Sequence, residues 1–303
     1  MGSEVVSVDR AAEVLGHRGR RDHPLGPLTT YRVGGPAALF MVADDEADLR
    51  LAGEAVVAGN LPSLVVGKGS NLLVAEAGFP GLAIVLGERF ADITIDGTWV
   101  RAGGAVSLPV LARRTAAAGL TGLEWCVGVP GSVGGAVRMN AGGHGSDTAT
   151  YLTRFCFVDL HGGPDGEADA GRLEFAYRHS TVAPHHVVVW GEYALAPGDR
   201  AASEATITDI VRWRRENQPG GQNAGSVFTN PPGDSAGRLV DAARLKGFRW
   251  GTAHVSTKHA NFIQADPDGS ADDVWALVQE VRRLVQERTG VLLEPEVKAV
   301  GFP

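Results

Sequence analysis

Cysteine is scarce in this chain of 303 residues, and its scarcity excludes a protein built on a disulfide framework. The two cysteines, Cys126 and Cys156, also lack the spacing of a metal site, so we expect two small buried side chains in a reducing compartment. Long apolar runs are missing too, and arginines interrupt the N-terminal segment where a signal peptide would need an apolar stretch. These absences predict a cytoplasmic protein that does not associate with membranes.

Positive charge is also in short supply. The 28 Lys and Arg residues are outnumbered by 35 Asp and Glu residues, which gives a net charge of −7 and argues against a nucleic-acid partner. The nine histidines include no pair at metal-binding spacing, and the adjacent His185 and His186 would point to opposite faces of a strand. We therefore predict no metal site, and we expect a monomer.

Glycine, by contrast, is abundant. The chain contains 41 glycines, clustered at residues 67–69, 103–104, 128–145 and 220–225 between short apolar runs. The length favours two or three structural units. Apolar periodicity predicts helices over residues 44–58, 107–119, 203–216, 234–245 and 270–288. Short apolar runs predict strands over residues 38–42, 64–66, 72–74, 82–86, 93–95, 99–102, 155–160 and 186–195. This mixture predicts an α+β fold.

The first glycine cluster lies between two predicted strands and reads Gly-Lys-Gly-Ser-Asn over residues 67–71. Consecutive small residues allow several backbone N–H groups to face one anion, which suits a phosphate group. The cluster has neither the Gly-Lys-Ser/Thr ending of a Walker loop nor the pattern of a dinucleotide-binding fingerprint. Taken alone, it is equally typical of a tight turn.

The second cluster, residues 128–145, is too rich in glycine for ordinary packing. A helix or strand would lose about 0.5–1 kcal/mol at each such glycine relative to alanine, so we expect open backbone over this length. A flat, extended ligand lying against the main chain would explain it, and a mobile surface loop is the alternative. Together, the two clusters predict an enzyme with a nucleotide-diphosphate cofactor.

Six motifs, in order from about residue 28 to the C-terminus, resemble the UDP-N-acetylenolpyruvoylglucosamine reductase family. They are residues 29–37, residues 66–74, residues 122–135 with the Asn-Ala-Gly at 140–142, residues 177–180, residues 223–231 and residues 293–298. The family likeness is specific because all six segments occur in the family's order. Lys298 stands where many members have arginine.

The resemblance implies an α+β fold with an FAD-binding domain of the vanillyl-alcohol-oxidase type, made of two α+β subdomains, and a C-terminal α+β substrate-binding domain. The FAD-binding domain would span residues 1–200 with a division near residue 87, and the substrate domain residues 201–290. Residues 291–303 would return as a strand to the FAD domain. The short interval after residue 195 resembles the shorter subtype, which lacks a tyrosine lid loop.

The resemblance also implies where FAD would lie, with its diphosphate on residues 67–72 and its ring near residues 129–145. The implied contacts share small side chains or exposed backbone. They are Gly67, Lys68, Gly69, Ser70, Asn71, Leu72, Gly128, Val129, Pro130, Gly131, Gly134, Gly135, Asn140, Gly142 and Gly145.

The implied activity is NADPH-dependent reduction of UDP-N-acetylglucosamine enolpyruvate in peptidoglycan precursor synthesis. Ser226 matches the family's proton donor, while Arg178 and Glu296 match the pair that stabilises the enol intermediate. Asn230 and Lys246 match substrate-binding positions. The residues alone leave other interpretations open: Arg178 as a surface ion pair, Ser226 as a turn residue, and Glu296 and Lys246 as solvated charges.

The sequence leaves two competing functions open. A flavin oxidase of the same fold, acting on a sugar alcohol or lactone, would leave the motif around Glu296 unexplained. Many such oxidases attach flavin to a histidine in the first cluster, where this chain has none. A UDP-sugar-binding protein without catalysis is the other alternative, and the presence of Arg178, Ser226 and Glu296 argues against it.

Overall fold

The computed structural model describes residues 6–302. The helices are α1 (Val8–Leu15), α2 (Glu46–Gly59), α3 (Leu108–Ala117), α4 (Val133–Met139), α5 (Thr148–Tyr151), α6 (Arg200–Asn217), α7 (Ala236–Ala242) and α8 (Ala271–Thr289). Within residues 6–302, no helix is both long and apolar enough to cross a membrane.

Strands alternate with these helices along the chain, which agrees with the predicted α+β class. The strands are β1 (Arg20–Pro24), β2 (Pro36–Ala43), β3 (Ser63–Val65), β4 (Leu72–Val74), β5 (Phe79–Leu86), β6 (Ile93–Asp96), β7 (Trp99–Gly103), β8 (Leu120–Thr121), β9 (Gly142–Gly143), β10 (Ser146–Asp147), β11 (Leu152–Asp159), β12 (Gly166–Asp169), β13 (His186–Ala194), β14 (Ala196–Pro197), β15 (Arg249–Trp250), β16 (Ala253–Val255), β17 (Ile263–Ala265) and β18 (Lys298–Val300).

The chain forms two compact units. The first unit contains residues 6–22, 38–68 and 80–213, and the second contains residues 23–37, 69–79 and 214–302. The first glycine cluster is therefore divided, with Gly67 and Lys68 in the first unit and residues 69–72 in the second. These compact units do not show which residues bind FAD and which bind the substrate, so the division into an FAD domain and a substrate domain stays a prediction.

A five-stranded sheet with the order β12-β11-β13-β7-β6 forms the larger part of the first unit. Strand β13 lies in its middle and pairs antiparallel with both β11 and β7. Helices α3 and α4 contribute Leu111, Val133 and Val137 to a core that includes Val188 on β13. This packing brings the second glycine cluster onto the sheet.

A second sheet, with the order β1-β2-β5-β3, lies mostly in the first unit and packs against α1 and α2. Helix α2 begins as predicted, because the Asp45 side chain accepts a hydrogen bond from the Asp48 backbone N–H. Asn60, in the left-handed conformation at φ +49°, ends it. Local capping chemistry therefore predicts this helix correctly.

The second unit is built on the three-stranded antiparallel sheet β15-β16-β17 and helix α8. Ser270 caps α8, and the predicted apolar stripe is buried at Val274, Leu277, Val278, Val281 and Val285. At the end of the chain, β18 pairs in parallel with β4, with Lys298 opposite Leu72. This pairing joins the last motif to the segment that follows the first glycine cluster.

Two predicted helix boundaries are wrong. Helix α6 begins at Arg200, because the Asp199 carboxylate accepts a hydrogen bond from the Ala202 backbone N–H and starts the helix before Ser203. Helix α7 is shorter than predicted and begins after Ser235, whose side chain accepts from the Arg238 N–H. Asp234 instead forms an ion pair with Arg238.

Candidate active site

A cavity lies within the first unit and encloses about 590 Å³, counting its open mouth. Its wall combines glycine backbone, short apolar side chains and a few polar groups. The lining residues are Val65, Val66, Gly67, Lys68, Val85, Leu86, Gly104, Ala105, Ser132, Gly134, Gly135, Arg138, His186 and Val188.

Glycine is required in this wall because the elements approach one another closely. A Cβ atom on Gly67 would lie 2.6 Å from Ser132 Oγ, and one on Gly104 would lie 2.1 Å from the Val188 carbonyl oxygen. A side chain at Gly104 would displace the backbone of β13, and one at Gly67 would displace the Ser132 hydroxyl. These glycines therefore allow the elements that form the wall to pack closely.

The expectation of open backbone throughout residues 128–145 is wrong, because the segment contains helix α4. Ser132 caps this helix by accepting a hydrogen bond from the Gly135 backbone N–H. Burial of Val133, Ala136 and Val137 offsets the cost of the two glycines in the helix. Gly134 serves close packing here, since its Cβ atom would lie 3.3 Å from the Gly104 carbonyl oxygen.

Sequence reasoning missed Arg138, which lies on α4 and lines the cavity. Its side chain is half-buried, and burial lowers the pKa of the guanidinium. Among residues 6–302, no carboxylate forms an ion pair with it. A buried cation at the wall of a cavity suits an anionic ligand. The sequence does single out Arg138 in one way, because it is the only Lys or Arg in residues 128–145.

Arg178 lies in a tight turn, and residues at the end of α4 form hydrogen bonds with both sides of that turn. Ala176 and His179 exchange backbone hydrogen bonds of 3.1 Å, and Arg178 between them has φ +57°. Asn140 Nδ2 donates to the Ala176 carbonyl oxygen at 3.0 Å, and Ser180 Oγ donates to the Arg138 carbonyl oxygen at 2.7 Å. The predicted arginine is thus positioned by the predicted glycine segment.

The other predicted contacts in residues 128–145 lie in short connections. Gly128 ends a 3-10 turn, and residues 129–131 lead into α4. Gly142 belongs to β9, and Gly145, at φ +86°, lies in the turn that leads to β10. In the second unit, Gly69 has φ +59°, and its Cβ atom would lie 2.1 Å from the Leu28 carbonyl oxygen.

The second unit brings the segments around Ser226 and Glu296 together. The Glu296 backbone N–H donates to the Val227 carbonyl oxygen at 2.7 Å, and the Thr229 N–H donates to the Glu294 carbonyl oxygen at 2.9 Å. Asn71 Nδ2 donates to the Glu296 carbonyl oxygen at 3.1 Å. These bonds bring Asn71, Glu296 and the segment that carries Ser226 into one region of the second unit. Arg178 belongs to the first unit.

Asn261 is a further residue that sequence reasoning missed in this region. Its buried side chain donates to the Phe228 carbonyl oxygen at 2.8 Å and accepts from the Phe228 N–H at 3.0 Å. The amide therefore fixes the backbone two residues beyond Ser226. A lone asparagine far from the motif carries no sequence signal for such a role.

The predicted substrate-binding residues have partners inside the second unit. Asn230 Oδ1 accepts from the Ala236 backbone N–H at 3.0 Å, and Lys246 Nζ lies 2.9 Å from an Asp241 carboxylate oxygen. Lys246 is partly exposed, with 37% of its side-chain surface accessible. A ligand would therefore have to compete with Asp241 for this ammonium group.

The expectation that His185 and His186 point to opposite faces of one strand is wrong. His185 precedes β13 and lies in a turn, so the alternation of side chains along a strand does not apply to it. Both imidazoles lie 3.7 Å from the carboxylate of Asp159.

The fold and cavity agree with the comparison to known proteins. Residues 37–164 match the model of an FAD binding domain, and the chain is therefore an FAD-binding α+β flavoprotein. Residues 217–300 match the model of the C-terminal domain of UDP-N-acetylenolpyruvoylglucosamine reductase.

Full-length relatives define the family. The chain is 43% identical to UDP-N-acetylenolpyruvoylglucosamine reductase 2 of Symbiobacterium thermophilum, over 93% of this chain and 92% of that protein. It is 42% identical to the reductase of Acidiphilium cryptum, over 100% of this chain and 98% of that protein. The crystal structure of the Thermus caldophilus reductase (MurB) superposes with a TM-score of 0.80 at 36% identity, covering 93% of this chain and 99% of that one. The chain belongs to the UDP-N-acetylenolpyruvoylglucosamine reductase family, as its motifs indicate.

Proposed function

We propose that this chain is an NADPH-dependent flavoenzyme that reduces UDP-N-acetylglucosamine enolpyruvate to UDP-N-acetylmuramate in peptidoglycan precursor synthesis. The main support for this function is the similarity to named reductases along nearly the whole chain, which includes 98% of the Acidiphilium cryptum protein. The cavity supports it, because glycine backbone beside a buried cation suits the diphosphate of FAD.

Within the cavity, we assign the flavin diphosphate to Gly67, Lys68 and Arg138. Lys68 is exposed at the rim and Arg138 is half-buried in the wall, so the two cations differ in their access to water. Bound there, FAD supplies a hydride carrier between NADPH and the sugar substrate. The other predicted contacts of the two glycine clusters are assigned to the same cofactor, with Asn140 supporting them through its bonds within the chain.

Ser226 is assigned as the proton donor to the substrate. Hydride addition at C3 of the enolpyruvyl group leaves negative charge beside the carboxylate, and a proton must then reach C2. A serine hydroxyl is a weak acid, so it serves this role only toward a strongly basic carbon. The backbone bonds between residues 227–229 and 294–296 support a common role for Ser226 and Glu296.

Arg178 and Glu296 are assigned to the enol intermediate. The planar guanidinium of Arg178 offers two parallel N–H donors to the substrate carboxylate. Its turn is restrained by hydrogen bonds from Asn140 and Ser180, which reduces the entropy that binding would otherwise cost. Glu296 is assigned to the same intermediate in its protonated form, because an ionised carboxylate would repel the negative charge that develops on the enol.

The substrate's UDP group is assigned to Asn230 and Lys246, with Lys246 exchanging its ion pair to Asp241 for the diphosphate. We also propose that residues 1–200 bind FAD, residues 201–290 bind the substrate and residues 291–303 return with Glu296. We further propose that the protein is a monomer and that it is cytoplasmic. Analytical ultracentrifugation over a range of protein concentrations tests the monomer.

The decisive experiment follows the colour of the purified protein. We expect a yellow protein that releases FAD on acid precipitation, is bleached by NADPH, and regains its colour with UDP-N-acetylglucosamine enolpyruvate. Bleaching by a sugar alcohol, with no response to NADPH, would instead identify an oxidase. A protein that stays colourless after FAD is added would overturn the proposed function.

A further inference from the structure

Two histidines and one aspartate converge where the inner strand β11 ends and the inner strand β13 begins, in the five-stranded sheet of the first unit. Asp159 ends β11 and is the cross-strand partner of His186, the first residue of β13. His185 precedes it in the turn. His185 Nε2 lies 3.7 Å from Asp159 Oδ1, and His186 Nε2 lies 3.7 Å from Asp159 Oδ2. One donor atom from each of the three residues lies within 4.8 Å of the other two.

The three groups are held in place by their neighbours. The His161 backbone N–H donates to Asp159 Oδ1 at 2.7 Å, and the His161 ring stacks on His185 with centroids 4.2 Å apart. The Phe157 ring lies 4.5 Å from the His186 ring. Both imidazoles and the carboxylate are therefore restrained before any ligand arrives, which favours binding of a small ligand between them.

Simple ion pairing does not explain this arrangement. One aspartate carries one negative charge, whereas the two imidazole rings lie only 4.7 Å apart and would repel each other if both were protonated. A neutral imidazole is the form that ligates a metal.

The distances suit a transition metal. Zinc binds imidazole nitrogen and carboxylate oxygen at about 2.0–2.2 Å in tetrahedral sites, so neighbouring ligand atoms lie roughly 3.4 Å apart. Both imidazole Nε2 atoms lie 3.7 Å from a carboxylate oxygen of Asp159, which is close to that separation. The accessible fractions of these side chains are 12% for Asp159, 30% for His185 and 23% for His186, which leaves a path for an ion.

We propose that Asp159, His185 and His186 form a binding site for a divalent transition metal of the zinc type, with water at the remaining position. The ion would tie the turn after β11 to the start of β13. Because His186 also lines the cavity, the ion would stabilise that part of the cavity wall. This inference is independent of the proposed reductase function.

The test uses the full chain with bound FAD and without a polyhistidine tag, after treatment with a chelator. Zinc chloride is titrated by calorimetry, and zinc retained after gel filtration is counted by elemental analysis. We expect one zinc per chain and a higher thermal midpoint with zinc, since the ion binds the folded state. His185→Gln and Asp159→Asn should each weaken zinc binding by more than the roughly 10- to 100-fold that loss of a supporting group costs.

His254→Gln is the matched control. His254 Nδ1 lies 3.6 Å from an Asp266 carboxylate oxygen, but this pair is not part of a three-residue cluster among residues 6–302. The control should bind zinc as the unaltered protein does. Absence of zinc binding, unchanged affinity in both His185→Gln and Asp159→Asn, or an equal loss in His254→Gln would overturn the site. Flavin content, measured on every variant, separates these outcomes from a failure to fold.

Discussion

Asn140 Nδ2 donates a 3.0 Å hydrogen bond to the carbonyl oxygen of Ala176, two residues before Arg178. The same amide nitrogen lies 3.2 Å from an Asp147 carboxylate oxygen, and Asn140 Oδ1 accepts from the Ala149 backbone N–H at 3.0 Å. The side chain is buried, and the residue ends α4 in the left-handed conformation at φ +42°. Asn140 thus links the second glycine cluster to the turn that carries Arg178.

Asn140→Ala should therefore lower both stability and substrate turnover. The substitution removes these bonds and leaves buried groups without their partner, at a cost of about 1–3 kcal/mol in the free energy of unfolding. Flavin reoxidation by the enolpyruvyl substrate should slow more than flavin reduction by NADPH, since Arg178 is assigned to the substrate.

Urea unfolding measures the first effect, and stopped-flow absorbance of the flavin measures the second. Thr150→Ala is the control, because Thr150 bonds to Asp147 at the exposed side of the same segment. Equal slowing of both half-reactions would speak against a positioning role toward Arg178.

Arg138→Met should weaken FAD binding without unfolding the protein. The guanidinium is half-buried at the cavity wall and has no ion pair to lose within residues 6–302. Hydrogen bonds to charged groups contribute about 1.5–3 kcal/mol, so the dissociation constant of FAD should rise roughly 10- to 100-fold. Arg138→Lys should recover part of the affinity, because lysine keeps the charge but not the planar fork.

FAD fluorescence quenching measures these affinities. Arg214→Met serves as the control, since Arg214 is also half-buried and burial also lowers the pKa of its guanidinium, but it does not line the cavity. An unchanged FAD affinity in Arg138→Met would remove Arg138 from the flavin site.

Features set by local chemistry are the ones that the sequence predicts well. The cap at Asp45 and the apolar stripe of α8 depend on residues within a few positions of each other, and both occur as predicted. The family motifs predict the FAD-binding domain because they are long and ordered. Helix α4 was missed, since glycine content argues against a helix and only packing on β13 offsets that cost.

Contacts between residues that lie far apart in the chain could not be predicted from the sequence. Asn71 and the Glu296 carbonyl oxygen are 225 positions apart, and no periodicity indicates that they meet. Arg138 could be noticed as a cation in a glycine segment, but its burial depends on the sheet behind it. The convergence of His185 and His186 on Asp159 depends on the turn before β13 and on the pairing of β13 with β11, which no local pattern in the sequence indicates.

Asp48→Asn should destabilise the protein at neutral pH. The buried carboxylate accepts a 3.0 Å hydrogen bond from Arg18 Nε and a 2.8 Å bond from the Asp44 backbone N–H. Burial alone would raise the pKa of Asp48, but the hydrogen bonds and charge of Arg18 outweigh it, so the pKa is lowered. The substitution should cost about 1.5–3 kcal/mol at pH 7.

The sign of the pH dependence follows from that lowered pKa. The stabilisation is fully present above the ordinary aspartate pKa of about 3.9 and is lost as the pH falls through the folded-state value. The stability difference between the unaltered protein and Asp48→Asn should therefore be constant from pH 5 to 7 and shrink below about pH 4. Denaturant unfolding at each pH measures it, with the exposed Asp9→Asn as control. A difference that grew in acid would contradict the assignment.

Ser226→Ala should separate the two half-reactions. NADPH should bleach the flavin at nearly the normal rate, because that step needs no proton from Ser226. Reoxidation by the enolpyruvyl substrate should slow by about 10²–10⁴-fold, the usual contribution of a positioned proton donor. Single-turnover measurements of the two steps test this, and the first step serves as the internal control.

The Ser226 hydroxyl is a small part of the turn after Gly225, which has φ +75°. The backbone pairing of Val227 with Glu296 does not depend on that hydroxyl. An equal loss in both steps would therefore indicate a structural role, whereas a loss confined to reoxidation that persists at saturating enolpyruvyl substrate is the result expected of a proton donor.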